Sequence, residues 1–285
     1  MITNIPDFDN DTTDQLLNGI VIPSQPKILQ QAMIEKEKKY PNLKKISDLV
    51  SKDVALSAAM LRAANSPAFG LRNKVTSIIS AVMLLGTKNV LSLITGLALR
   101  MAISGKSNMK LGHFWDMSSD TAVVCSVLGK KFGVMEPDKA YMLGLFHDVG
   151  IPLMMQRFEN YIEVLYKENI DTKESITVIE DRHFNTNHAI IGYLVARSWG
   201  LPENIREAIL LHHDDHELSA NYDSHLLSKQ ISILIMAEYF SELSNSAKTN
   251  ETWKRVGGDV IRILNLSEAD VHDLGEDIGD MLSNL

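Results

Sequence analysis

Tyr141-Met142-Leu143-Gly144-Leu145-Phe146-His147-Asp148-Val149-Gly150 is an apolar run that ends in an imidazole beside a carboxylate. Pro137 and Asp138 stand where a helix would open, and Gly150 and Pro152 where it would break, so the stretch predicts a buried helix carrying His147 and Asp148 on neighbouring positions. Burying two such groups is costly unless they ligate a metal or find hydrogen-bond partners. Further along come His188, the His212-His213 pair and Glu238, each on or beside another helical pattern.

Working outward, nearly every segment repeats its apolar residues at three and four. Ile28, Ala32 and Met33 follow Pro23 and Pro26, and Ile46, Leu49 and Val50 form a short amphipathic stretch. Val54 to Asn65 reads as a helix ended by Ser66-Pro67 and Gly70. Ser77 opens another that Gly86 closes, with a longer one from Thr87 to about Ser104. Phe114 to Phe132 is stopped by Gly133. Tyr161–Tyr166, Thr172–Phe184, His188–Trp199, Glu203–His212 and Leu226–Leu243 follow, and the tail carries weaker patterns at Val260–Leu264 and Glu268–Leu285. Period-two alternation is scarce. The expected fold is all-α, with its best internal seam at the polar stretch Gly105 to Gly112.

The chain has 285 residues, of which 45% are hydrophobic and 22% charged, enough for a substantial core. A net charge of −8 argues against a nucleic-acid-binding surface, which needs clustered Lys and Arg. The one basic cluster, Lys36, Lys38, Lys39, Lys44 and Lys45, is interrupted by Glu35 and Glu37 and reads as a solvated helix end. A single cysteine, Cys125, sits among Ala122, Val123, Val124 and Val127, and reads as buried and inert. The first eighteen residues are acidic and polar, without a signal pattern. Val82 to Ala102 is broken by Gly86, Lys88, Asn89 and Arg100, short of an uninterrupted membrane-length run of ~18 residues. No membrane association and a cytoplasmic location are the expectations.

Several ordered motifs together resemble the HDOD family. They are Ile22-Pro23-Ser24-Gln25-Pro26-Lys27, the block Leu61 to Leu71, Ile78 to Gly86, Phe114-Trp115, Leu145 to Gly150, and His188-Ala189-Ile190-Ile191-Gly192 leading to Trp199-Gly200-Leu201-Pro202. The likeness covers residues 15–215. It implies an N-terminal helical bundle over 15–105 and a half from 113 related to the HD metal-dependent phosphohydrolases. Residues 216–285 would complete and extend that half. It also implies a bacterial signalling role without demonstrated catalysis.

The HD pattern supplies a metal with an early His, the His-Asp pair and a late Asp, and dinuclear members add further histidines. The pair is His147 and Asp148. The early His position is matched by Met117, whose thioether is a weak ligand for a hard or borderline ion. His113 and Asp120 lie one turn either side and could substitute. The late Asp is matched by Glu238, in Ala237-Glu238, and the extra histidines by His188 and His212 (or His213). A hydrogen-bonded core imidazole is the alternative role for each of these. HD-GYP phosphodiesterases carry a Lys soon after the pair and a Gly-Tyr-Pro loop after the later histidines. Here Val149-Gly150-Ile151-Pro152 contains no Lys, and Asp214 to Tyr222 no Gly-Tyr-Pro.

Two other signals are set aside. Ser104-Gly105-Lys106-Ser107 mimics the end of a phosphate-binding loop, but the first glycine of that motif is replaced by Arg100. Met83, Met101, Met142, Met154 and Met155 stand among apolar residues and read as core filler. The resulting expectation is a non-catalytic regulatory module acting through a signalling partner protein or a small ligand, with no nucleic acid and no required cofactor. Its alternative is a metal-dependent phosphohydrolase acting on a nucleotide or cyclic dinucleotide, its degenerate site loaded with Fe, Mn or Mg.

Overall fold

A computed structural model describes residues 10–65, 74–103, 111–171, 174–218, 225–245 and 250–283. All regular structure among those residues is helical, with no strand, as the periodicity requires. The chain divides into two compact units. One comprises Ser24–Ser104 with Asp273–Leu285, and the other comprises Met1–Pro23 with Gly105–His272.

After α1 (Asn10–Leu17), the smaller unit holds α2 (Lys27–Lys36), α3 (Leu43–Val50), α4 (Val54–Ala64) and α5 (Ile78–Ile103). The apolar faces of α2, α3 and α4 pack on α5 and bury Leu29, Ile46, Val50, Leu56, Met60 and Ile94. Asn42 caps α3 by accepting from the Lys45 N–H. Asn65, from the Leu61 to Leu71 block, exchanges hydrogen bonds with the Val75 backbone at 2.7 and 2.9 Å. It thereby fixes the two ends of a connection whose residues 66–73 lie outside the described ones, as does Ser104-Gly105-Lys106-Ser107.

By length and composition α5 reaches a membrane span, the one described helix that does. Gly86 interrupts it with φ 74° and ψ 162°, a conformation favourable only to glycine, and Val82, Leu85, Val90, Leu91 and Leu99 are buried. Two sequence readings are corrected here. Met83 and Met101 are 66% and 56% exposed, on the outward side of α5, and are not core filler. The basic cluster is more than a solvated helix end. Glu35 is only 1% exposed, accepts from the Asn42 N–H, and pairs with Lys38 and Lys45 at 2.7 and 3.1 Å.

The larger unit holds α6 (Gly112–Lys131), α7 (Pro137–Phe146), α8 (Gly150–Arg157), α9 (Tyr161–Asp171), α10 (Ile176–Phe184), α11 (His188–Ser198) and α12 (Glu203–Leu211). A 3₁₀ turn at Asp215–Leu218 leads to α13 (Leu226–Asn245), α14 (Glu251–Ile263) and α15 (Glu268–Ser283), the last of which runs on past this unit's boundary. α6 packs against α7 and α13, α11 against α8 and α12, and α12 against α7. Cys125 is buried in α6, where loss of solvation pushes its thiol up and keeps it unreactive. Leu16 and Leu17 of α1 pack on Tyr193 and Leu194. Asn18 donates to the Phe184 carbonyl, Arg157 donates to the Asn18 carbonyl, and the Trp199 indole donates to the Pro23 carbonyl at 2.8 Å. The Ile22-Pro23 and Trp199-Gly200 motifs are therefore two halves of one tie.

Candidate metal centre

α7 ends at Phe146, and the His147-Asp148 pair lies in the turn between α7 and α8 rather than inside a helix. The expected single helix is corrected at this point. The backbone stays right-handed at His147 and Val149, and the Asp148 carbonyl accepts from Ile151 N–H, so α8 restarts directly after the turn. That turn aims both side chains inward. Asn187 caps α11 by accepting from Ile190 N–H and so presents His188 as its first residue. His212 follows the last residue of α12, and Glu238 projects from α13.

The five expected donors converge. Asp148 Oδ2 lies 3.2 Å from His147 Nε2, and Asp148 Oδ1 lies 3.3 Å from His188 Nε2 and 3.5 Å from His212 Nε2. Glu238 Oε1 stands 3.0 Å from His147 Nε2. His213, left open in the sequence as an alternative to His212, joins them, with Nε2 3.1 Å from His188 Nε2. Three of the imidazoles are held from behind through Nδ1: His147 by the Gly144 carbonyl at 2.7 Å, His212 by the Ile209 carbonyl at 2.6 Å, and His188 by the Glu180 carboxylate at 2.7 Å. A donor bond at Nδ1 leaves Nε2 as the atom that faces the cluster, the usual arrangement behind a metal-binding histidine.

The donors form two groups that share Asp148: one with His188, His212 and His213, the other with His147 and Glu238. Asp148 Oδ1 and His212 Nε2 are buried with no hydrogen bond of acceptable geometry. Such orphaned polar atoms are costly unless something satisfies them. Donors bound at about 2.0–2.2 Å to a tetrahedral ion lie about 3.3–3.6 Å from one another, close to the spacings around Asp148. The imidazole-rich group thus fits a divalent ion. The group of His147, Asp148 and Glu238 offers three donors and no fourth among the described residues.

Without an ion, the neighbouring carboxylates favour the charged form of His147 and His188. Burial opposes protonation of His147, yet the Asp148 and Glu238 carboxylates hold its pKa well above the ordinary value. His188 is pushed up to about 10, since Glu180 and Asp148 outweigh its burial. Burial would raise Asp148, but His147, His188 and His212 keep it well below the usual carboxylate range. His213 goes the other way, driven well down by burial and by its imidazole neighbours.

A cavity of about 480 Å³ opens onto the cluster. Met117 lines it together with His147, Asp148 and Glu238, and His113 lines it one turn before Met117. Asp120, the other possible substitute, is not among the lining residues. Sequence reasoning missed Glu180 and Tyr161, which lie behind His188. A signal was available: Glu180 interrupts the apolar stripe Ile176, Glu180, Phe184 at four-residue spacing, which marks a carboxylate forced indoors.

The family model for the HDOD domain matches residues 22–215. Among proteins of similar sequence, one from Treponema pallidum, itself uncharacterised, is 26% identical over 202 residues, 68% of this chain and 38% of that protein. An uncharacterised Bacillus subtilis protein is 29% identical over 131 residues, 46% of this chain and 32% of its own length. The chain thus aligns with about a third of each of these longer relatives. Among solved structures, a candidate phosphohydrolase from Shewanella amazonensis superposes with a TM-score of 0.72 at 23% identity, covering 94% of both chains. An HDOD domain protein of unknown function from Geobacter sulfurreducens gives 0.68 at 22% identity over 96% of this chain and 98% of that one. A candidate signal transduction protein from Marinobacter aquaeolei gives 0.70 at 20% identity over 94% and 59%. At these identities the likeness is one of fold.

Proposed function

This chain belongs to the HDOD domain family, and from that premise we propose that it is a non-catalytic regulatory module of bacterial signalling. In this reading it acts in the cytoplasm and passes a signal by binding a partner protein or a small ligand. The observation that supports it most is Met117, which lines the same cavity as His147, Asp148 and Glu238. A thioether there adds little to the hold on Fe, Mn or Mg. Asp148, His147 and Glu238 are left one donor short, and an ion held by that group exchanges readily. The histidines then act as a sensor or a structural clasp, and any ion is a ligand that biases the module's conformation.

A second reading has an observation of its own. Asp148 is shared between two donor groups, an arrangement suited to a two-metal phosphohydrolase acting on a nucleotide or cyclic dinucleotide. A bound divalent ion would supply Lewis-acid chemistry in that case. The chain's own part would be to hold the ion through Asp148, His188 and His212, and to orient a phosphate with His213 and the cavity wall.

Metal content of the purified protein, measured together with turnover of a cyclic dinucleotide and of nucleotide monoesters, separates the two. Substoichiometric metal and no turnover are expected. Near-stoichiometric iron or manganese accompanied by turnover would put the phosphohydrolase first.

A further inference from the structure

Behind the cluster, two side chains that the proposed function does not use, Tyr161 and Glu180, are stacked against His188 in the interior. Tyr161 from α9 is 1% exposed, Glu180 from α10 is 0% exposed, and His188 from α11 is 0% exposed. The Tyr161 hydroxyl donates to Glu180 Oε1. Glu180 Oε2 accepts twice from one residue, from the His188 backbone N–H at 3.0 Å and from the His188 ring at Nδ1 at 2.7 Å. A buried carboxylate with three donors is satisfied, and a carboxylate can only accept. The proton of the His188 ring therefore stays on Nδ1, and the lone pair of the neutral ring is on Nε2. That atom faces Asp148 Oδ1 at 3.3 Å and His213 Nε2 at 3.1 Å.

We propose that Glu180, braced by Tyr161, is a positioning residue that locks His188 in the tautomer and ring orientation needed to present Nε2 to a divalent cation beside Asp148. The inference rests on the reading of the cluster as a cation-binding site, and it adds a regulatory consequence. Three helices must be in register for His188 to bind: α9 through Tyr161, α10 through Glu180 and α11 through its first residue. The next residue along α10, Asp181, accepts from Asn187 at 2.9 Å, and Asn187 caps α11. The α10–α11 joint thus fixes the same histidine twice, through its backbone and through its ring. A partner or ligand that shifts α10 changes cation affinity without touching a ligand atom.

The test uses Zn(II) as a diamagnetic probe on the full chain. Wild type, Glu180→Gln and Tyr161→Phe are compared by chelator-competition titration, by melting in excess chelator, and by nitrogen-15 correlation spectra of the histidine rings. Glutamine keeps the shape and one acceptor, and its amide can donate to the tyrosine oxygen, so the fold is retained. Loss of a group that orients a metal-binding histidine typically weakens affinity by about 10–100-fold. That loss is expected for Glu180→Gln and a smaller one for Tyr161→Phe, with a far smaller change in chelator melting. The His188 ring should carry a proton on Nδ1 in metal-free and Zn(II)-loaded wild type alike. A wild-type ring with its proton on Nε2 and none on Nδ1 overturns the proposal. So does Glu180→Gln binding Zn(II) as tightly as wild type. If Glu180→Gln fails to fold, Tyr161→Phe carries the affinity comparison. A wild type without Zn(II) affinity removes the cation-site reading instead, and the ring spectrum of the metal-free protein still decides whether Glu180 sets the tautomer.

Discussion

Gly150 leaves no room for a side chain against His188: a Cβ at that position would lie 2.1 Å from the His188 carbonyl oxygen and 2.7 Å from its Cα. The turn that carries His147 and Asp148 is therefore pressed onto the first residue of α11. This contact between two backbones, 38 positions apart in sequence, brings Asp148 Oδ1 to 3.3 Å from His188 Nε2.

Gly150→Ala should consequently separate α8 from α11. Overpacking of this kind costs about 1–3 kcal/mol and more where backbone must move. Lower melting and weaker Zn(II) binding are expected together. Gly258, on the exposed side of α14, meets nothing within 4 Å, so Gly258→Ala should instead stabilise by about 0.5–1 kcal/mol by restricting the unfolded chain. Parallel thermal melts check both, and equal shifts of the same sign would refute the packing argument.

His147 serves structure as much as binding. It contacts the Gly144 carbonyl, Asp148 and Glu238, and His147→Ala leaves those groups facing one another. A stranded buried group costs about 1–3 kcal/mol, and more where a charge is left unpaired. The variant should melt lower than wild type even in chelator. An unchanged melt combined with lost metal binding or hydrolysis would assign His147 a purely chemical role.

Met117→His tests the missing donor directly. Residue 117 lines the cavity with His147, Asp148 and Glu238, and an imidazole there supplies what the thioether does not. Affinity for Mn(II) or Fe(II) should rise, and Glu238→Asp in the same background should raise it further. Tight binding of a second equivalent of either ion by the wild type, beyond one held by the imidazole-rich group, would contradict the claim that this group is short of a ligand.

Glu35 predicts an acid-sensitive joint in the smaller unit. Its hydrogen-bonded ion pair with Lys38, aided by Lys45 and the Asn42 N–H and opposed by burial, lowers its pKa from 4.5 to about 2. A depressed carboxylate stabilises the fold above its unfolded value and loses that contribution as pH falls. The window is therefore between about pH 4.5 and pH 2. Glu35→Gln should lower stability near neutrality and flatten the pH dependence within that window, as read from denaturant midpoints across pH. A parallel, merely displaced curve for the variant would show that the pair carries no linkage.

Much of the architecture was legible without coordinates. Apolar residues recurring at three and four declared the helices, and Gly86 announced the break in α5 that its φ of 74° shows. The motifs that resembled a family turned out in part to be ties: Pro23 with Trp199, and Asn65 with Val75. What sequence pattern could not supply was exposure and direction. Met83 and Met101 have core chemistry but face outward, and Glu35 and Glu180 have surface chemistry but lie inside. Burial depends on which neighbour a helix face meets, and those neighbours are distant in sequence.

For the cluster the division is similar. The sequence by itself named the candidates, because His147, Asp148, His188, His212 and Glu238 could be picked out by residue type and motif order, and these side chains do converge. Tertiary structure alone decided that the pair sits in a turn, that Asp148 is shared, that His213 joins in, and that Glu180 and Tyr161 stand behind His188. Ligand identity is a local property of side-chain chemistry. Which nitrogen faces an ion, and what holds it there, depends on contacts of about 3 Å between helices, and those exist only once α6 to α13 have packed.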